Sequence, residues 1–176
     1  VTLQLPESPD QYFINQLLLD GRSWDASEVY GYDPNPSYTD SAWFAYGTDL
    51  DNVGSSYPNL VISYSNETAG GESTYQYMTP EGPGQNRNGS LVATARVQDQ
   101  DGGYSTPDGS TVEASELASA IIEEVENVCQ RNAAGGSSLF TSVGSQRGPD
   151  NPDDREEKPY VRIASATISY SWRRGP

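Results

Sequence analysis

The sequence predicts an α+β fold: a mostly antiparallel sheet covered on one face by one long helix, over about 111–131, and a shorter N-terminal helix, over about 9–19. Three observations predict it. Residues 110–131 form the one long stretch with a clear helical period. The region 42–98 holds several short runs that alternate apolar and polar residues between Gly, Pro and Asn. Two more such runs follow the long helix, so the order is β, α, four β, α, two β, with runs of strands separated by a helix that needs a sheet to cover. The rival is an all-β sandwich with one decorating helix. It is disfavoured because the long helix is patterned as core.

That pattern is explicit. Leu117, Ile121, Val125 and Val128 recur at helical spacing, Ala118, Ile122 and Cys129 widen the stripe, and Glu113, Glu116, Glu123, Glu124 and Glu126 lie mostly off it. Ser110 and Glu113 have capping-box spacing, and Gly135-Gly136 supplies the stop. The shorter helix follows from Ser8-Pro9-Asp10, an N-cap with proline at the first helical position, with Tyr12, Phe13, Leu17 and Leu18 as its buried side and Gly21 as its end.

The strands are read in chain order. Residues 1–5 alternate and suit an edge strand closed by Pro6. The runs 42–48, 60–65, 73–79 and 90–98 follow, then 138–143 and a long last strand over 160–172. Ala93 and Ala95 are small enough to let a helix approach closely, so the long helix is expected across the 90–98 strand. In the last strand Val161 and Ile163 share one parity and Ala166, Ile168, Tyr170 and Trp172 the other. Either a bulge near Ala164-Ser165 or burial on both faces reconciles them. Arg96 is expected to pair with a carboxylate of a neighbouring strand or the long helix. The segment 144–159, with three prolines and five acidic residues, is expected to be a solvated, mobile loop. The whole of 1–176 is read as a single domain.

Charge and composition narrow the function. Twenty-five acidic residues against ten basic ones give a net charge of −15, and Lys158 is the sole lysine. Such a surface repels phosphate backbones and anionic membranes, so nucleic acid is not an expected partner, and no apolar run reaches spanning length. Histidine is absent and there is one cysteine, Cys129. This removes Ser-His-Asp and Cys-His catalysis and nearly every zinc or transition-metal site. Cys129 lies beside the apolar stripe and reads as a buried thiol, with pairing to another chain as the alternative. No Gly-rich loop has phosphate-binding spacing.

What remains is carboxylate chemistry and contact surface. Asp49, Asp51, Glu72, Asp99 and Asp101 flank expected strands, and two of them facing each other across a cleft would be needed for glycoside cleavage. Asp99-Gln100-Asp101-Gly102-Gly103 opens like an oxygen-ligand calcium loop, but Gly103 stands where Asp or Asn is wanted and Ser110 where the twelfth-position carboxylate belongs. Calcium at Asp99 and Asp101 is therefore a candidate against a plain Asx turn, and no other cofactor is expected. The sequons at Asn66 and Asn88 are candidate N-glycosylation sites. Trp24, Tyr30, Tyr32 and Tyr38, with Trp43, Tyr75 and Tyr77, offer an aromatic surface for stacking on sugar or protein. These features together lead to the expectation of a secreted, extracellular, non-catalytic recognition protein of effector, toxin-subunit or binding-module type, taking a protein or carbohydrate ligand. An oligomer or a partner chain is compatible with it. The alternatives are a small carboxylate glycosidase and a structural or assembly protein.

Overall fold

The computed structural model describes residues 8–19, 45–47, 57–69, 77–79, 82–105, 110–132, 140–148, 151–152 and 159–174. Their order is α1 (Pro9–Leu19), β1 (Ala45–Gly47), β2 (Asn59–Ala69), β3 (Tyr77–Thr79), β4 (Gly82–Gln98), β5 (Tyr104–Ser105), β6 (Thr111–Val112), α2 (Ala114–Asn132), β7 (Phe140–Arg147), β8 (Asn151–Pro152) and β9 (Val161–Arg174). The fold is α+β. A mixed sheet in the order β1-β2-β4-β9-β7, with β3 against β4 and β8 against β9, is covered by the long helix α2 and the shorter α1. All its described pairings are antiparallel except β1 with β2, which is parallel. The expected strand over 1–5 lies outside the described residues.

The helix period translates directly into packing. Leu117, Ile121, Ile122 and Val125 of α2 are fully buried, with Ala118, Val128 and Cys129 at 1 % exposure. Beneath them the sheet presents a floor of small side chains: Ala93 stands opposite Ala166 and Ala95 opposite Ala164, all buried. The absence of large side chains there brings the helix down on the β4–β9 pair, where both strands can share its apolar stripe. Tyr12, Phe13 and Ile14 of α1 join the same core, and the main-chain N–H of Tyr12 donates to Ser8 O at 2.9 Å. Proline at the first helical position gives up no hydrogen bond.

Several boundaries differ from the sequence reading, each for a physical reason. The cap of α2 is Glu113 rather than Ser110: the Glu113 N–H donates to the Glu116 carboxylate at 3.1 Å, and the Leu117 N–H to Glu113 O at 3.0 Å. The β-branched Thr111 and Val112 just before it pair with β5 instead of starting the helix. β4 begins at Gly82, not near residue 90, because β3 pairs with residues 82–84, β9 from Gln85 and β2 from Arg87, supplying partners for a Gly- and Asn-rich run that has little strand preference of its own. β9 pairs with β4 from Val161 to Arg174 without a register shift, so no bulge occurs near Ala164. Val161 is instead buried on the opposite face from Ala164, Ala166 and Ile168. β7 runs to Arg147 and β8 pairs with β9, so part of the expected 144–159 loop is sheet.

Candidate functional site

Three features of the described residues bear on function: a cleft, a buried polar cluster and a sheet face. The cleft, of about 880 Å3, lies between the turn after β4, the start of α2 and the lead-in to β9. Asp99 and Asp101, the two candidate calcium ligands, both line it, with Glu113, Tyr160 and Arg162. Asp99 accepts three hydrogen bonds from the Arg162 guanidinium, at 2.8–3.2 Å, which raises the Arg162 pKa further, and Tyr160 carries that guanidinium over its ring at 5.7 Å. Asp101 is exposed in a tight turn closed by the Gly103 N–H on Gln100 O at 3.1 Å. Gly102 has φ +84°, which suits the third position of a type II turn. Among the described residues no three acidic, His or Cys side chains gather as a metal cluster would.

The Asp99–Arg162 pair is a surface pair, each side chain about one-third exposed at 34 % and 33 %. Arg162→Ala is therefore expected to change stability by less than about 1 kcal/mol, and a denaturant titration checks it. Arg96 stands on the outward face opposite Asn59 and Ile163, so it is directed away from α2. Arg162 of β9 is a strand arginine tied to a carboxylate at this end of the sheet.

At the other end of the sheet, on the helix side, sits a cluster that the sequence reading missed. Glu67 has only 4 % of its side chain exposed, accepts a hydrogen bond from Arg87 at 3.0 Å, and accepts a second from the Tyr170 hydroxyl at 3.1 Å. A buried carboxylate with two such donors is satisfied, as burial demands. Gly89 makes room for it: a Cβ there would meet the Tyr170 hydroxyl at 2.4 Å and Asn66 O at 2.5 Å. Burial first, and then the nearby Glu67 charge, push the Tyr170 phenol well above its usual range. Because the folded phenol holds its proton more tightly than the unfolded one, its contribution to stability is complete below pH about 10 and is lost as pH rises beyond that. Stability is expected to fall above pH 10 in the wild type and less steeply in Tyr170→Phe, measured by urea unfolding at pH 8–11. In this cluster the Glu67 carboxylate is held by a guanidinium and a phenol.

The third feature is the face of the sheet turned away from α2. Across β2, β4, β9 and β7 the register sets three rows side by side: Thr68, Asn88, Ser171 and Ser142; Asn66, Ser90, Ser169 and Gly144; Ser63, Val92, Thr167 and Gln146. None of these twelve positions carries a charge, in a chain of net charge −15. Asn66, Thr68, Asn88, Gln146, Thr167 and Ser169 are exposed. The two sequons interlock here. Ser90 donates to Asn66 Oδ1 at 3.0 Å, Thr68 donates to Asn88 O at 3.4 Å, and Ser171 donates to Asn88 Oδ1.

The expected aromatic recognition surface is corrected by this arrangement. Among the described residues Tyr12, Tyr104 and Tyr170 are buried, and the exposed large hydrophobic side chain is Tyr64, at 49 %. These rings belong to the core: Tyr12 from α1, Tyr104 from β5 and Tyr170 from the helix side of β9. Trp24, Tyr30, Tyr32, Tyr38, Trp43 and Tyr75, like Asp49, Asp51 and Glu72, lie outside the described residues, and Tyr77 is placed only as a position in β3. Cys129 is buried in the core, out of reach of a partner's thiol. No helix among the described residues is long and apolar enough to cross a membrane. No protein-family model matches the sequence and no curated protein is significantly similar to it. No similarity therefore supports a secreted recognition role.

Proposed function

We propose that this chain is a non-catalytic assembly component that makes protein contacts through the uncharged face of its sheet. The observation that carries the reading is the twelve-position grid without a charge in a chain with thirty-five charged residues, twenty-five acidic and ten basic. Solvent-exposed sheet faces of acidic proteins are ordinarily studded with charge, which keeps them apart. A patch of hydroxyls and amides lacks that protection and offers donors and acceptors. Of the charged residues on these strands, Glu67 and Arg87 turn to the opposite face and bind each other, and the positions of Arg96 and Arg173 lie on the grid's own face beyond its two ends.

The test is size fractionation of a gentle native extract from cells expressing the tagged chain in its own source. The reading expects the chain in a particle well above its own mass, with Ser169→Glu and Thr167→Glu variants shifting to the free position while remaining folded. A chain that runs free in every fraction, or variants that stay in the particle, would contradict it.

A further inference from the structure

We infer that the surface that docks on the grid is the same grid of a second copy of this chain, the two sheets meeting face to face about a twofold axis. The inference rests on the assembly reading above and adds the partner's identity. Its first ground is charge. Two bodies of charge −15 repel over most of their approach, and the grid is where the described surface brings no carboxylate against a carboxylate. The second is self-complementarity. Ser, Thr and Asn side chains each donate and accept, so the patch can satisfy its own copy, as an isologous interface requires; a cationic partner would instead be drawn to the acidic remainder. The third is shape. Strands about 4.8 Å apart with same-face residues about 7 Å apart give a patch of roughly 300–400 Å2 on a sheet face, the kind of surface that packs sheet on sheet. This is about half of what one partner contributes to a stable interface, roughly 800 Å2. The pairing is therefore weak, favoured by high protein concentration and by salt, which screens the repulsion between the acidic remainders.

The experiment is sedimentation velocity on the purified chain at 0.1 M and 1 M NaCl over a concentration series, for the wild type, Ser169→Glu and Gln130→Glu. Gln130 is exposed on α2, on the other side of the sheet, so its variant adds the same charge away from the grid. Expected are a reversible dimer that tightens by about tenfold or more with salt, a Ser169→Glu dimer weakened by about tenfold or more, and a Gln130→Glu dimer close to the wild type. A wild type that stays monomeric at both salts, or a dimer indifferent to Ser169→Glu, overturns the inference. A monomer in this experiment combined with grid-dependent incorporation in the native extract would overturn the self-pairing alone and leave the assembly reading intact. Loss of both would remove the two together.

Discussion

Ile121→Ala is expected to destabilise the protein by about 3–4 kcal/mol, which for a chain of 176 residues lowers Tm by roughly 10 °C. Ile121 is fully buried in the middle of α2, over the floor made by Ala93, Ala95, Ala164 and Ala166. That floor is already composed of the smallest side chains, so it has no long groups that could swing in to fill the space the substitution leaves. The cost should therefore fall in the upper part of the range for such truncations. Thermal unfolding followed by circular dichroism measures it. A loss below about 1 kcal/mol would mean that α2 does not seat on the sheet as described.

Arg87→Ala is the second large effect, at about 3 kcal/mol, because it leaves the Glu67 carboxylate buried without its counter-charge. The comparison with Glu67→Gln and the double variant apportions the loss. Glu67→Gln keeps a group able to accept from Tyr170 and removes the buried charge, so it is expected to cost less than Arg87→Ala. In the double variant Arg87→Ala adds little, giving a coupling of about 1–3 kcal/mol in a double-mutant cycle. Additive effects of the two changes would show that the ion pair at 3.0 Å does not act as a unit. Since Arg87 is itself 32 % exposed, its own loss of packing contributes little to the total.

Both helices were legible in the sequence because their signals are local: a proline after Ser8 for α1, and an apolar stripe at Leu117, Ile121, Val125 and Val128 for α2. The close approach over Ala93 and Ala95 was legible too, since side-chain size in a strand directly limits what can lie on it. Gly82 to Gly89 was not, because a run of Gly, Pro and Asn becomes strand only when β3, β9 and β2 in turn supply its partners. The same blind spot concealed Glu67, Arg87 and Tyr170. The Glu67–Arg87 pair could have been suspected from opposite charges within one sequon and just before the other, but its burial depends on Tyr170, more than eighty residues further along. The uncharged grid is a property of register. Each row draws one residue from each of four strands, and no single stretch of the sequence displays it. Asp99 and Asp101 were rightly placed beside a turn, and Asp99 turned out to be held by Arg162, a partner from a distant strand.

The central claim is that the grid is the surface through which the chain associates. A single spin label at Ser169, introduced as Ser169→Cys in a Cys129→Ala background, tests it most directly by dipolar spectroscopy in concentrated solution at 1 M NaCl. Two sheets packed face to face lie about 10 Å apart, so labels near the centre of the grid should couple at a distance on the order of 20 Å, whereas a label at Gln130 on α2 should show a much longer one. Coupling at Ser169 that disappears on dilution is the expected result. Coupling at Gln130 with none at Ser169 would place the contact on the helix side of the molecule and contradict it.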